Sequence, residues 1–337
     1  MASQPYAIAA GDRWAFVGEP AGFVAVLRLR AATAQLVRTV PVPGEPLGAA
    51  LTGGDRVLLV ANYLGGLEVL STVALESGSG SVVVAQVRSR GRGDDEVVVD
   101  GSYAFVPEEL SGDVAVYDLG HLLGAAGPPR APNEVGTIPV GPSPSGIALD
   151  LPARRLYVIS QAGATEKGYG ELTAVDVAEA ESHPGRAVLG AVAAGCDPAR
   201  VALSGGGTVA WVTDRGADTL LALRLTQRST TAVGHVIAAV RVGSNPVDVT
   251  LVDSGSVVLV TDSARYSTPD EASTVAAVNA ADALAGLPSL LGYLPAGAFP
   301  RQFGRDGDGP LFFTDYNSMD LRVMSPADLR WLGAQKP

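Results

Sequence analysis

Charged and polar side chains recur at one position of a repeated segment, two residues after a proline or its counterpart. If these positions meet in space, they place two or three cations among two acids, an arrangement that perturbs pKa values and suits acid–base catalysis. The alternative is that they only form ion pairs and hydrogen bonds between segments. We predict Asp248, Arg301, Arg200 and Gln302 as the catalytic residues. The full set is Gly48, Asp95, Gly146, Arg200, Asp248 and Gln302, with Arg301 beside the last.

A second set of mainly acidic residues ends an apolar stretch in each segment. Short acidic side chains at such positions commonly accept hydrogen bonds from backbone N–H groups of their own turn. The alternative is a Ca²⁺ or Mg²⁺ site built from two or three of them, since hard cations prefer carboxylate oxygens. We predict no cofactor and no metal ligand, with Ca²⁺ or Mg²⁺ as the open alternative. The set is Glu19, Asn62, Glu108, Ser160, Asp214, Asp262 and Asp315.

Tyrosines follow this second set in four turns, and two of these turns, 161–171 and 263–274, are long. Long loops in a regular repeat are often functional, and tyrosine combines an apolar ring with a polar tip, as small-molecule sites require. Ordinary surface tyrosines are the alternative. We predict a substrate-binding set of Tyr63, Asp95, Tyr169, Arg265, Tyr266 and Tyr316.

The segment that carries these positions is clearest at 245–262, NPVDVTLVDSGSVVLVTD, and recurs at 197–214 as DPARVALSGGGTVAWVTD. We call its prolines the leading prolines. A further copy at 93–108, GDDEVVVDGSYAFVPE, has Gly93 in place of the proline. A period near fifty residues built from short strands is typical of a propeller or solenoid. The leading prolines are Pro46, Pro144, Pro198, Pro246 and Pro300.

Seven units can be delimited, each with about four short strands joined by Gly, Asp and Ser turns. They predict an all-β fold, a seven-bladed β-propeller of four-stranded antiparallel blades in one domain, 1–337. How the ring closes stays open, because the seventh unit lacks a clear fourth strand unless 329–333 supplies it. The predicted blades span 5–43, 46–90, 93–141, 144–195, 198–243, 246–295 and 300–337.

The repeat resembles the YVTN family of β-propellers (YncE-like proteins) in the lactonase-like propeller superfamily. The resemblance rests on the leading proline, a small-residue inner strand, and second strands that read LVTD, WVTD or LVAN. It implies a ligand site at the mouth of the central channel, lined by the starts of the inner strands and by the turns between second and third strands. It also implies relatives as diverse as lactonases, which need a metal, and streptogramin lyases, which use histidine. Function must therefore be argued from the site.

The amino-acid composition limits the classes of partner that this protein is expected to bind. The net charge of −11 opposes a nucleic-acid partner or an anionic membrane surface. No apolar run approaches the roughly 18–20 residues of a spanning helix. The first residues lack the pattern of a signal peptide, so we predict a cytoplasmic protein, or a secreted one if a leader was trimmed. The one cysteine, Cys196, excludes an internal disulfide. We predict a monomer whose partner is a small-molecule substrate.

Motifs for common chemistries are missing: the sequence has no GxSxG, no HExxH, no Walker loop and no GxGxxG after a strand. The long turns and clustered tyrosines nevertheless favour an enzyme, and we predict one that binds an apolar, natural-product-like molecule at the channel mouth. Cyclisation, isomerisation or lyase chemistry would proceed there through positioning and hydrogen bonding. The alternatives are a metal-dependent lactonase or hydrolase, and a non-catalytic, YncE-like binding propeller.

Overall fold

Each repeat folds into one antiparallel sheet whose strands follow one another in chain order, innermost strand first. The computed structural model describes residues 1–30, 33–120, 132–163, 165–226, 233–266, 272–305, 309–324 and 328. Each innermost strand packs against the innermost strands of the two neighbouring sheets, and the strand at Ile8–Ala10 contacts that at Pro300–Gly304. The sheets therefore close into a ring, which confirms the predicted seven-bladed propeller.

Six blades have four strands, and the seventh has three in the part of the chain that the structure describes. The proposed fourth strand at 329–333 lies outside the described residues. The strands are, blade by blade, Ile8–Ala10, Trp14–Glu19, Phe23–Arg30 and Thr33–Pro41; Pro46–Thr52, Val57–Asn62, Leu67–Ser71 and Val83–Val87; Val98–Asp100, Tyr103–Glu108, Asp113–Asp118 and Asn133–Pro139; Pro144–Asp150, Arg155–Ser160, Glu171–Asp176 and Val188–Ala193; Pro198–Leu203, Val209–Asp214, Thr219–Leu225 and Gly234–Arg241; Pro246–Val252, Val257–Asp262, Thr274–Asn279 and Leu290–Pro295; and Pro300–Gly304, Leu311–Asp315 and Asp320–Met324.

Helices are short and follow the third strand in alternate blades, at Thr72–Ser77, Val177–Ala180 and Ala280–Leu284, with 3₁₀ turns at Pro184–Arg186 and Asp253–Gly255. Ser71, Asp176 and Asn279 end the preceding strands and cap these helices by accepting a backbone hydrogen bond. None of the described helices has the length and apolar content needed to cross a membrane.

The apolar core is divided among the interfaces between neighbouring blades. Trp211 is fully buried between the fifth and sixth blades, and Phe312 is buried between the seventh blade and the first. Burying a side chain of this size contributes roughly 1.5–3 kcal/mol. Because the strands pack on both faces, they read as nearly continuous apolar runs.

Threonines link the inner strands of the last three blades around the ring. The hydroxyl of Thr213 donates to the carbonyl oxygen of Val247 at 2.9 Å, and that of Thr261 donates to the backbone carbonyl oxygen of Arg301 at 3.0 Å. Thr314 donates to the carbonyl oxygen of Tyr6 at 3.0 Å. In each case the acceptor lies on the next blade, so the last bond connects the seventh blade to the first.

The inner strands are also joined by acceptor side chains that reach from one blade to the next. Glu96 accepts a hydrogen bond from Ile147 N at 2.9 Å, Asp248 accepts from Phe303 N at 2.7 Å, and Gln302 accepts from Ile8 N at 3.0 Å. These bonds satisfy backbone N–H donors that would otherwise be buried at the crowded axis without a hydrogen-bond partner.

Candidate functional site

A cavity of about 320 Å³ lies over one end of the central channel, and we call it the mouth pocket. Its floor is a ring of seven residues, one from each blade. In six blades the floor residue directly follows a proline, and in the third blade it is Asp95, two residues after Gly93. The floor ring consists of Tyr6, Leu47, Asp95, Ser145, Ala199, Val247 and Arg301.

The position of the floor ring corrects the predicted one by a single residue. In each of the five blades that begin with a leading proline, the pairing of the first two strands shifts just after the proline, as between Pro246 and Val249. Such a bulge changes where the following side chains point. Residues two after the proline, such as Asp248, therefore lie a level below the floor, while residues one after it, such as Arg301, form it.

The third blade departs from the others because it lacks a leading proline. Its first pairing is an isolated bridge between Asp94 and Glu108, ahead of a strand of three residues. Glu96, rather than Asp95, occupies the level of Asp248, as its bond to Ile147 shows. Asp95 therefore lies in the floor ring.

The wall of the mouth pocket comes from the turns after the second strands and from the residue before Pro300. These residues are Tyr63, Glu109, Gln161, Arg215, Arg265, Phe299 and Tyr316. The side chain of Arg200 also lines the pocket. The structure thus brings together six of the ten predicted site residues: Tyr63, Asp95, Arg200, Arg265, Arg301 and Tyr316.

Four predicted residues do not line the mouth pocket. Asp248 and Gln302 lie beneath the floor and bond to the neighbouring blade. Tyr169 is 44% exposed, and Tyr266 is 67% exposed, with the guanidinium carbon of Arg265 5.3 Å from the centre of its ring. The long turns therefore present these two tyrosines to solvent.

A buried ion pair crosses the channel at the floor of the pocket. Arg200 Nη2 lies 2.8 Å from Asp95 Oδ2, and each side chain is 7% exposed. The same guanidinium donates to the carbonyl oxygens of Ser145 and Ala199 and lies near Glu96. With its donors occupied, Arg200 is held rigidly and its charge is compensated.

Tyr6 completes this network from the first blade. Its hydroxyl donates to Asp95 Oδ1 at 2.6 Å. Burial opposes ionisation of Asp95, but the charges of Arg200 and Arg301 and the bond from Tyr6 outweigh it and lower the pKa of Asp95. Burial raises the pKa of Tyr6 well above its usual range, so the phenol stays a donor. Asp95 is thus a fully engaged carboxylate.

The two acids beneath the floor, Glu96 and Asp248, differ from Asp95 because their pKa values are raised rather than lowered. Burial raises the pKa of Glu96 to about 7, although Arg200 opposes this shift. Burial also raises the pKa of Asp248, against the effect of its hydrogen bond from Phe303. These two acids join inner strands and do not touch the space above the floor.

Arg301 and Arg265 are cations of the mouth pocket without an ion-pair partner among the described residues. The guanidinium carbon of Arg301 lies 3.7 Å from the centre of the Tyr6 ring and 5.2 Å from that of Phe299. That of Arg265 lies 5.4 Å from the Phe299 ring. Aromatic faces thus hold both guanidinium groups.

Glu109 is the acid of the pocket wall. It accepts a hydrogen bond from Gln161 Nε2 at 3.2 Å. Burial, and then the nearby charge of Asp95, raise the pKa of Glu109 above its usual range. Burial and Glu109 itself raise the pKa of Tyr63. A carboxyl with a raised pKa beside a phenol can exchange protons with a bound molecule.

The acidic set at the ends of the second strands binds backbone N–H groups, as the simpler interpretation predicts, but these belong to the segment that enters the same blade, 16–18 residues earlier, rather than to the acid's own turn. Asp214 accepts from Cys196 N at 2.8 Å, Asp315 accepts from Gly297 N at 2.9 Å, and Glu19 accepts from Ser3 N at 2.6 Å. Among the described residues, no three His, Cys, Asp or Glu side chains are grouped so as to hold a metal ion. This donor set does not fit the metal of a propeller lactonase.

Nine pocket residues lie outside the predicted set: Tyr6, Leu47, Glu109, Ser145, Gln161, Ala199, Arg215, Val247 and Phe299. Most had a sequence signal. Tyr6 follows Pro5 as other floor residues follow a leading proline, and Glu109, Gln161 and Arg215 directly follow the ends of second strands, as Tyr63 and Tyr316 do. Arg215 is neutralised by Asp197, with contacts of 2.8 and 2.7 Å.

Comparisons with known proteins support the fold. No family model matches the chain, and no curated protein matches it. Among solved structures, Kuenenia stuttgartiensis hydrazine synthase is similar with a TM-score of 0.75 at 14% identity, over 96% of each chain. A putative 6-phosphogluconolactonase from Bacteroides fragilis gives 0.73 at 11% identity, over 96% of this chain and 90% of that one.

Another putative 6-phosphogluconolactonase, from Bacteroides uniformis, gives a TM-score of 0.71 at 14% identity, over 93% of this chain and 92% of that one. The chain is therefore a propeller of the architecture shared by lactonase-like and hydrazine synthase propellers. Membership of the YVTN family is not confirmed by any family match.

Proposed function

We propose that this protein is an enzyme that binds a small organic molecule in the mouth pocket and converts it by cyclisation, isomerisation or lyase chemistry. The observation that carries the proposal is that Glu109, whose pKa is raised, and Tyr63 line the same partly enclosed cavity. A carboxyl poised nearer neutral pH is an effective proton acceptor and donor.

The aromatic side chains support an apolar body for the substrate, as the sequence predicts. Tyr6, Phe299 and Tyr316 form an edge-to-face chain, with ring centres 6.1 and 5.4 Å apart. An apolar ligand part packed on these rings would be positioned against Glu109 on the opposite wall. Positioning of this kind lowers the barrier of an intramolecular reaction.

Within this proposal the four predicted catalytic residues have different roles, because they lie at different positions relative to the pocket. Arg301 reaches the pocket and can stabilise negative charge that develops on the substrate. Arg200 has its donors engaged, and we assign it to holding Asp95. Asp248 and Gln302 are assigned to joining the inner strands, because their side-chain oxygens accept backbone hydrogen bonds.

The test is conversion of a natural metabolite pool. Wild-type protein, Glu109→Gln and the distant control Arg28→Gln are each incubated with a metabolite extract and analysed by mass spectrometry. We expect a compound to be replaced by an isomer of equal mass, or by two fragments, with wild type and the control but not with Glu109→Gln. Identical profiles with and without wild-type protein would favour a non-catalytic binding propeller.

A second candidate is lactone hydrolysis. It is favoured by the two similar structures named putative 6-phosphogluconolactonases, and by arginines that could hold a phosphate. The reaction would need Glu109 as the base for water, because the described residues offer no metal-ligand group. Acceleration of 6-phosphogluconolactone hydrolysis, lost in Glu109→Gln, would support this candidate over the first.

A further inference from the structure

The mouth pocket is positively charged within an acidic protein. The chain carries a net charge of −11, yet four arginines, Arg200, Arg215, Arg265 and Arg301, line this one cavity. Two of them are neutralised by Asp95 and Asp197. Among the described residues, the one other acid that lines the pocket besides Asp95 is Glu109. Burial raises the pKa of Glu109 and so favours its neutral form.

The two remaining cations share one aromatic ring. Arg301 and Arg265 lie 5.2 and 5.4 Å from the centre of the Phe299 ring. Among the described residues neither forms an ion pair, although Arg301 is only 9% exposed. A nearly buried guanidinium without a carboxylate within ion-pair distance is costly unless something else supplies the negative charge.

Phe299 has an unfavourable backbone conformation at this position. It adopts the left-handed conformation, with φ 61°, directly before Pro300. The equivalent positions before Pro144, Pro198 and Pro246 adopt the same conformation, but they are Ser143, Asp197 and Asn245. Such polar residues tolerate a positive φ better than phenylalanine does. A bulky residue in this conformation marks a position kept for a reason other than turn formation.

We propose that Arg265 and Arg301, oriented by Phe299, form an anion subsite that binds the carboxylate or phosphate group of an aromatic or otherwise planar ligand. The inference rests on the proposed use of the mouth pocket as a ligand site and defines its substrate class. Guanidinium groups bind both carboxylates and phosphates through paired N–H donors. The ring of the ligand lies among Tyr6, Tyr63 and Tyr316, and the positive potential draws the anion in from solution.

The probes are phenyl phosphate, benzoate and the neutral benzyl alcohol, each titrated by ligand-observed NMR at low and high salt. We expect at least one anion to bind, benzyl alcohol to bind at least about tenfold more weakly, and the anion's affinity to fall with salt. Preference for phenyl phosphate over benzoate assigns the subsite to phosphate esters, and the reverse assigns it to carboxylates. Inorganic phosphate tests whether the ring contributes.

Arg265→Gln and Arg301→Gln should each weaken binding of the preferred anion about tenfold, and Arg301→Lys should restore part of the loss. The matched control is Arg28→Gln, which removes an arginine stacked 5.4 Å from the Trp14 ring outside the pocket; it should bind as wild type does. Circular dichroism verifies that each variant is folded.

Equal affinity for benzyl alcohol and the anions, no binding of either anion, or wild-type affinity in both folded arginine variants would overturn the inference. These outcomes are distinct from failure of the proposed enzyme. A protein that binds phenyl phosphate but converts no metabolite keeps the anion subsite and loses the catalysis. A protein that converts a neutral metabolite and ignores both anions does the opposite.

Discussion

Arg200 of the fifth blade and Asp95 of the third blade form an ion pair of 2.8 Å across the channel, with both side chains almost completely buried. The pair spans the fourth blade and forms part of the lining of the mouth pocket. It therefore links three blades and sets the level at which a ligand would rest.

Removing one member of this pair should destabilise the protein strongly. Asp95→Ala leaves the Arg200 charge buried without its nearest counter-ion, and we expect the free energy of unfolding to fall by about 3–5 kcal/mol. Urea denaturation followed by circular dichroism measures the change. The double variant Asp95→Leu/Arg200→Met should recover most of the loss. If the single variant is as stable as wild type, the pair does not link the blades as described.

The threonine bond that closes the ring should be open to direct measurement. Thr314→Val removes the donor to Tyr6 O and the acceptor of Gln302 N, which lies at 3.2 Å. We expect a loss of about 1–3 kcal/mol and faster hydrogen exchange in residues 6–10. The matched control Thr261→Val removes the same two bonds inside the ring and should cost a similar amount without exposing the first strand. Unchanged exchange in residues 6–10 would contradict the role of Thr314 in closure.

Buried acids of the third blade should make stability depend on pH. Burial raises the pKa of Glu108 from 4.5 to about 8 and that of Asp94 from 3.8 to about 7. Between roughly pH 4 and pH 8 the folded state therefore binds more protons than the unfolded state, and the free energy of unfolding falls as the pH rises.

Glu108→Gln and Asp94→Asn should each make this pH dependence shallower, as measured by urea denaturation at a series of pH values. Asp12→Asn, at an exposed position, is the control and should leave the slope unchanged. A slope that is identical in wild type and Glu108→Gln would mean that Glu108 titrates alike in both states.

Tyr6 should show separate roles for its ring and its hydroxyl. Tyr6→Phe keeps the ring under Arg301 but removes the bond to Asp95. We expect it to lower stability by about 0.5–1.5 kcal/mol while binding of phenyl phosphate is nearly unchanged. Tyr6→Leu also removes the ring and should weaken that binding several-fold. Equal binding by both variants would show that the ring does not orient Arg301.

The repeat alone was sufficient to predict the propeller, because the leading prolines and the strands that end in Thr-Asp recur at one period. The level of the site was harder to predict. Whether Arg301 or Gln302 faces the pocket depends on a one-residue bulge after Pro300. The repeat aligns equivalent residues but does not show which of them the bulge leaves unpaired. In the third blade the level of the floor residue is harder still to predict, because Gly93 occupies the position where the proline is expected.

The direction of the turns also escaped prediction. Tyr63 and Tyr316 lie in short turns that lean over the channel, whereas Tyr169 and Tyr266 lie in the longer turns and face solvent. Loop length indicated functional importance, but side-chain direction depends on tertiary packing. Tyr6 escaped because its segment lies at the start of the chain, where Pro5 has no preceding blade to compare with.

The floor of the mouth pocket takes one residue from each blade, while the bonds that hold the inner strands lie one level below or in the backbone. A substitution at the apolar floor positions Leu47, Ala199 and Val247 therefore changes what the cavity recognises and leaves the supporting bonds in place. These positions offer an evolving lineage many small steps between ligands. Such an architecture can retain its shape while both its sequence and its substrate drift far from those of its ancestors.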